Sequence, residues 1–251
     1  MWLFPRIVAH RGGGTLAPEN TLAALRCGLA HGFRAVEFDV MLSADSIPIL
    51  MHDPRFGRTV RGSGSVAGTT AQALAAMDAG AWFGAEFAGE PVPTYVQAIR
   101  FCKENGIWMN VEIKPVPGFD VQTGRVVAEL TQAWFANDTT AALPLFSSFS
   151  FDALMAAKQA APGIPRGYLT DTIEGDWDDR LQALGATALH TNHKHLTPAL
   201  AQAVKQAGYG LFCYTVNTPK RAREILGWGV DAFCTDRIDL IAPDLASLLL
   251  D

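Results

Sequence analysis

Nothing in this chain of 251 residues runs apolar for eighteen positions, so no membrane-spanning helix is expected. Basic residues are not in excess. Lys and Arg number 20 against 25 Asp and Glu, a formal charge of −5, and a net acidic surface repels nucleic acid. Cysteine is scarce: Cys27, Cys102, Cys213 and Cys234 form no Cys-x-x-Cys pair, which argues against zinc. Each lies in an apolar, periodic segment that suits a buried free thiol, so the expected setting is reducing, the cytoplasm. Residues Met1–Arg6 lack the basic start of a signal peptide. Low-complexity tracts are absent, and no internal repeat stands out. Charged residues make up only 18% against 49% hydrophobic, which excludes a disordered chain.

What is present is alternation. Strand-like runs occupy Arg6–His10, Ala35–Met41, Ile47–His52, Ile107–Ile113, Leu143–Ser148, Arg166–Leu169, Ala186–Thr191, Tyr209–Thr215 and Val230–Thr235. Helical patterns fill Glu19–His31, Tyr95–Asn105, Val121–Ala136, Phe151–Ala160, Pro198–Ala207 and Pro219–Trp228. Gly32, Gly106, Gly208 and Gly229 follow four of these helices, as left-handed caps do. Taking Ile47–His52 as a hairpin extension of the second strand leaves eight strand–helix units. In a chain of this length that predicts one α/β domain over residues 1–251, a TIM (β/α)8 barrel. A doubly wound sheet is the rival that spacing alone leaves open. Asp53–Val92 breaks the rhythm. It is too long for an ordinary connection and reads as a small insertion after the second strand.

A TIM barrel carries its chemistry at the C-terminal ends of its strands. His10-Arg11, Glu37-Phe-Asp39, His52-Asp53 and Glu112-Ile-Lys114 all fall at that end. Glu37 and Asp39 share one face of their strand, while Val36 and Val40 mark the other. Glu112 and Lys114 repeat the spacing on the next barrel strand. Two like charges 4 Å apart cost about 4 kcal/mol at an effective dielectric of 20. Three converging carboxylates therefore point to a divalent cation, and an all-oxygen donor set suits Mg²⁺ or Ca²⁺. The competing reading pairs these acids with basic residues on the rim. His10 and His52 titrate near neutrality and suit a general base and a general acid. Arg11 and Lys114 supply positive charge for an anion, Arg11 bidentately. Together these are the parts of a phosphoryl-transfer or phosphodiester-cleaving site.

Other features carry less. His31 at a helix end suits a solvated, dipole-stabilising role. His193 and His195 lack a third ligand and read as a surface loop. His190 ends a strand and can face the site. Gly62-Ser-Gly64-Ser-Val-Ala67 fits a loose dinucleotide pattern but follows the charged run Arg58–Arg61 rather than a buried strand, so a turn-rich loop is expected. Arg11-Gly-Gly-Gly14 is no P-loop, though its backbone N–H groups can approach an anion.

His10-Arg-Gly-Gly-Gly14, Ala17-Pro-Glu-Asn-Thr21, Glu37-Phe-Asp39, His52-Asp53, Glu112-Ile-Lys-Pro115, Ser148-Phe149, Tyr214-Thr-Val-Asn217, Gly229-Val-Asp231 and Thr235-Asp236 resemble, in order and spacing, the glycerophosphodiester phosphodiesterase family. The resemblance covers nearly the whole chain and is closest to short cytosolic bacterial members. It implies a TIM barrel whose family insertion matches Asp53–Val92. Glu37, Asp39 and Glu112 match the metal ligands, and His10 and His52 the acid/base pair. Arg11 and Lys114 match phosphate contacts, and Phe149 and Tyr214 fall where family members line the substrate cleft. Many relatives carry Trp where Tyr214 stands. The family's hairpin turn usually has Asp-Gly, where this chain has Asp45-Ser46. The implied reaction cleaves a small glycerophosphodiester to sn-glycerol 3-phosphate and an alcohol such as choline or ethanolamine, either through a cyclic phosphate or by direct attack of water. Which histidine is the acid, which metal binds and how many copies assemble stay open at this level. Two alternatives are a lysophospholipase D, which needs an apolar surface that only Trp82, Phe83 and Phe87 can supply, and a non-catalytic binding protein, which should have lost a histidine or carboxylate.

Overall fold

Successive side chains along each strand point to opposite faces of a sheet that closes into a barrel. The structure is a computed structural model that describes residues 2–138 and 141–245. Its strands are β1 (Ile7–Ala9), β2 (Ala35–Leu42), β3 (Pro48–Leu50), β4 (Trp108–Ile113), β5 (Leu145–Ser148), β6 (Arg166–Thr170), β7 (Ala188–Asn192), β8 (Gly210–Tyr214) and β9 (Ala232–Thr235). Eight of them are parallel, in the order β1-β9-β8-β7-β6-β5-β4-β2, and β1 pairs with β2 to complete the ring. β3 is the antiparallel hairpin arm of β2, as expected. This is a TIM barrel. No helix among the described residues is long and apolar enough to cross a membrane. All four cysteines are free.

The helices are α1 (Leu22–Ala30), α2 (Ala71–Ala75), α3 (Tyr95–Glu104), α4 (Asp120–Phe135), α5 (Phe151–Ala160), α6 (Trp177–Leu184), α7 (Pro198–Gln206) and α8 (Pro219–Gly227). Their starts follow from side chains that accept otherwise unpaired N–H groups. Thr21, Thr94, Ser150, Thr197 and Thr218 each cap a helix, typically worth about 1 kcal/mol. Pro198 and Pro219 occupy the first turns of α7 and α8, where a missing N–H costs nothing. The four glycines anticipated as caps all have positive φ.

Two elements differ from expectation. α1 begins at Leu22 rather than Glu19, because Thr21 caps it and frees Glu19 and Asn20 for the site. α6 has no counterpart in the predicted helices. It buries only Leu181 and Leu184, and Asp176 before it makes no side-chain cap, so its apolar stripe is too thin to read. Beyond β9 the eighth helix expected from the repeat count does not occur within the described residues. The hairpin turn keeps a left-handed residue even without glycine: Ser46 has φ +60. Ser43 Oγ donates to Asp45 Oδ1 (2.7 Å) and Ser46 N–H to Ser43 O (2.9 Å), which offsets the strain.

The barrel interior is stratified. Its base is apolar, with Val8, Ala35, Trp108, Leu145, Phe212 and Ala232, and Trp2 and Phe4 pack onto it from outside the strands. The Phe4 and Trp108 rings stack at 4.9 Å. Asn110, Ser147 and His190 lie above, and the charged residues above those. The insertion between Leu50 and Tyr95 has its own small core of Met51, Val60, Val66, Leu74, Ala79 and Val92 against Met41 and Ile49.

Candidate active site

Register places the acids. Asp39 pairs with Glu112 and Glu37 with Asn110 across β2 and β4, so period-two alternation aims all three carboxylates into the barrel mouth. One oxygen from each of Glu37, Asp39 and Glu112 lies within 4.8 Å of the others. The competing ion-pair reading holds in part. Lys114 Nζ is 3.1 Å from Asp39 and 3.4 Å from Glu112, and Arg11 Nε is 3.6 Å from Asp39. Glu37 receives only the Arg11 backbone N–H at 3.1 Å, with His10 Nε2 at 3.7 Å.

The electrostatics follow. Burial, then Asp39 and Glu112, push the Glu37 carboxyl well above its ordinary range. Burial and Asp39 raise Glu112 to about 7. Asp39 is buried too, yet Lys114, Arg11 and His52 overcome that burial and hold it down at about 2. Two basic side chains therefore compensate one of the three acids fully. Burial pushes the other two toward their protonated forms, and a hard divalent cation held by Glu37, Asp39 and Glu112 would take the place of those protons on an all-oxygen donor set.

The loop after β1 is shaped to serve these acids. Arg11 (φ +50) and Asn20 (φ +58) are left-handed without being glycine, a strain of about 1 kcal/mol each. The first turns its N–H toward Glu37. The second lets Asn20 exchange two hydrogen bonds with Asp39, donating from Nδ2 (2.8 Å) and accepting the Asp39 N–H (3.0 Å). Gly14 is obligatory, because a Cβ there would sit 2.1 Å from the Asp236 carbonyl oxygen. The N–H groups of Arg11 and Gly14 are spent inside the protein, on Glu37 and on His10 O.

Two His–Asp dyads face the cluster. His10 Nδ1 lies 2.6 Å from Asp236 Oδ1, and His52 Nδ1 lies 2.6 Å from Asp53 Oδ1. An ionised carboxylate only accepts, so in each dyad Nδ1 carries the proton and Nε2 is left to the cavity. Asn217 supports Asp236, donating from Nδ2 (2.8 Å) and accepting the Asp236 N–H (2.8 Å). Arg58 Nε donates to Asp53 Oδ2 at 2.7 Å. Burial lowers the His52 pKa, with Arg11 and Lys114 adding to the fall, and Asp39 and then Asp53 oppose it.

A cavity of about 220 Å³ gathers His10, Arg11, Glu37, His52, Glu112, Lys114, Phe149 and Tyr214 in its lining. The Phe149 and Tyr214 rings meet edge-on at 5.8 Å, and Tyr214 Oη donates to Thr170 O. Phe149 is 49% exposed, an apolar wall at the open side. His190 also lines the cavity, but its two ring nitrogens are buried without partners. The ring stacks on Phe212 at 4.5 Å, and burial drives its pKa to about 3. His193 accepts from Arg221 and His195 faces Asp171, so that pair belongs to its own loop. Trp82, Phe83 and Phe87 pack edge-on against one another and do not line the cavity.

Sequence reasoning did not single out Glu19, Asn20, Asp53, Arg58, Asn217 or Asp236 for roles at the site. Five of them lie inside the quoted motifs, but only Asp53 and Asn217 share one with a residue that was given a role. Arg58 opens the charged run Arg58–Arg61 in the segment read as an insertion.

Residues 10–240 match the model of the glycerophosphoryl diester phosphodiesterase family. A glycerophosphodiester phosphodiesterase of Caldanaerobacter subterraneus subsp. tengcongensis is 30% identical over 235 residues, covering 92% of this chain and 93% of its own. Among solved structures, a phosphodiesterase of Oleispira antarctica in complex with the product sn-glycerol-3-phosphate superposes with a TM-score of 0.89. It is 34% identical, over 98% of this chain and 97% of that one. A glycerophosphodiester phosphodiesterase of Agrobacterium tumefaciens gives 0.75 at 25% identity, over 98% and 100%.

Proposed function

The chain belongs to the glycerophosphoryl diester phosphodiesterase family and is an enzyme of that class, and from that premise we propose a metal-dependent hydrolysis of small glycerophosphodiesters carried out by two histidines. The products are sn-glycerol 3-phosphate and an alcohol such as choline or ethanolamine. The observation that carries this reading is the pairing of two His–Asp dyads with one buried carboxylate cluster in a single cavity.

Glu37, Asp39 and Glu112 would hold the cation, Mg²⁺ or Ca²⁺ by donor type. A bound divalent ion lowers the pKa of a hydroxyl or water and offsets negative charge on a phosphoryl oxygen. Lys114 and Arg11 reach the same space and bind the phosphate oxygens. Asp236 and Asp53 each keep a histidine oriented with Nε2 toward the substrate. One Nε2 takes the proton of the attacking oxygen, and the other histidine gives a proton to the departing alcohol. Phe149 and Tyr214 form the wall of the substrate cleft. A reducing, cytoplasmic setting fits the four unpaired thiols.

The test is release of glycerol 3-phosphate from a head-group panel after chelation, with Mg²⁺, Ca²⁺ and Mn²⁺ restored in turn. We expect activity to vanish on chelation and to return with an oxygen-seeking cation. Glu37→Ala should abolish both metal binding and turnover. Full activity in that variant, or in the chelated enzyme, refutes the reading.

A further inference from the structure

His10 is anchored by residues of the barrel itself, but His52 is not. Its partner Asp53 is the next residue in the chain, so a dyad of neighbours has no hold on the sheet of its own. The hairpin's last backbone tie to β2 is the Met51 N–H donating to Asp39 O at 3.1 Å, and after it the chain enters the insertion. The tie that brings the dyad back is ionic. Arg58 spends Nε on Asp53 Oδ2 (2.7 Å) and its two terminal nitrogens on the two oxygens of Glu19 (2.6 and 2.7 Å). Glu19 sits in the loop between β1 and α1 and also accepts from Arg11 (2.7 Å), whose own N–H holds Glu37. One unbroken run of contacts therefore joins His52 to the carboxylate cluster through Asp53, Arg58, Glu19 and Arg11.

We propose that Arg58 is the positioning residue of the second dyad: by clamping Asp53 to Glu19 it fixes where the His52 imidazole stands over the carboxylate cluster. The clamp needs a planar group with three donors directed at two separate carboxylates, which guanidinium provides and an ammonium does not. It acts as a cation through Asp53 and Glu19, and Arg58 does not line the cavity. A misplacement of about 1 Å in a reacting group can lower a rate by roughly 10²-fold. The clamp is therefore a rate determinant well outside the reacting atoms.

The proposal rests on His52 being a reacting group, so the experiment includes that reading as its reference. Turnover of glycerophosphocholine is measured for the full chain, for Arg58→Met, Arg58→Lys and His52→Ala, and for His52→Ala combined with each. Metal binding by calorimetry and the melting temperature are followed in parallel. We expect Arg58→Met to lower kcat by roughly 10–100-fold, with KM and metal affinity nearly unchanged. Arg58→Lys should recover only a small part of that loss. In the His52→Ala background the same substitutions should change kcat by less than about 2-fold, because there is no imidazole left to position. An equal loss in both backgrounds makes Arg58 a merely structural residue and overturns the proposal. So does full activity of Arg58→Met, or complete rescue by Lys. An active His52→Ala removes the catalytic reading as well, which separates that failure from a failure of the clamp alone. Should Arg58→Met fold poorly, Arg58→Lys keeps the charge and decides the question.

Discussion

The two His–Asp dyads use the same contact in different company. In the first, His10 follows β1, and Asp236 follows β9 with Asn217 holding it at both ends. In the second, the histidine and aspartate are consecutive residues of an insertion, held by an arginine whose side chain is 43% exposed. Hydrogen bonds between residues at the barrel's strand ends fix one dyad and a half-solvated ion-pair clamp fixes the other. A site can thus be assembled from a rigid half and an adjustable half, and the adjustable half is the one that solution conditions should reach.

Exchanging the aspartates tests this difference most strongly. Asp236→Asn should lower kcat by roughly 10²–10⁴-fold, since Asp236 is the group that holds the proton on His10 Nδ1. Asp53→Asn should cost less, by about an order of magnitude, because the insertion can readjust. It should also move the limb of the pH–rate profile that His52 governs to lower pH, because Asp53 is one of the groups that hold the His52 pKa up. Equal losses in steady-state assays would erase the distinction. Salt is the next lever. Between about 0.05 and 0.5 M NaCl the wild-type rate should fall a few-fold as the Arg58 clamp is screened. Arg58→Met should show a flatter response, and parallel slopes would count against the contrast. The smallest effect on rate isolates the interior beneath both dyads. His190→Leu should leave turnover at neutral pH nearly unchanged but alter acid stability. His190 stays neutral in the fold down to about pH 3, whereas in the unfolded chain it protonates near 6.5. Its contribution is therefore complete above about pH 6.5 and declines as pH falls toward 3, by about 1.4 kcal/mol per unit at most. Denaturant midpoints across that window should fall less steeply in the variant. An unchanged slope would mean that His190 is partnered in solution.

Much of the barrel could be read from strand–helix alternation, and the carboxylate cluster from period-two spacing on two strands. These are local patterns, and sequence displays local patterns directly. The Asp236 support for His10 is not local: the two residues are 226 positions apart and meet only because the sheet closes. Arg58 was obscured differently. A charged residue among glycines and serines reads as a solvated turn, and it is solvated, but its three donors have fixed partners. α6 escaped notice because two buried leucines make too narrow a stripe to register as a helical period.

The seam where β1 meets β9 has a consequence for a chain still being made. A partly synthesised protein that has emerged through α8 already carries Glu37, Asp39, Glu112, His52 and Asp53. It lacks the strand that brings Asp236 to His10 and seats Gly14 beneath it. On the proposed mechanism such a chain could gather a cation but would stay catalytically silent until its last strand slotted in. Enzymatic competence thus doubles as a signal that the ring is complete, and a turnover assay on refolding protein would time closure rather than collapse.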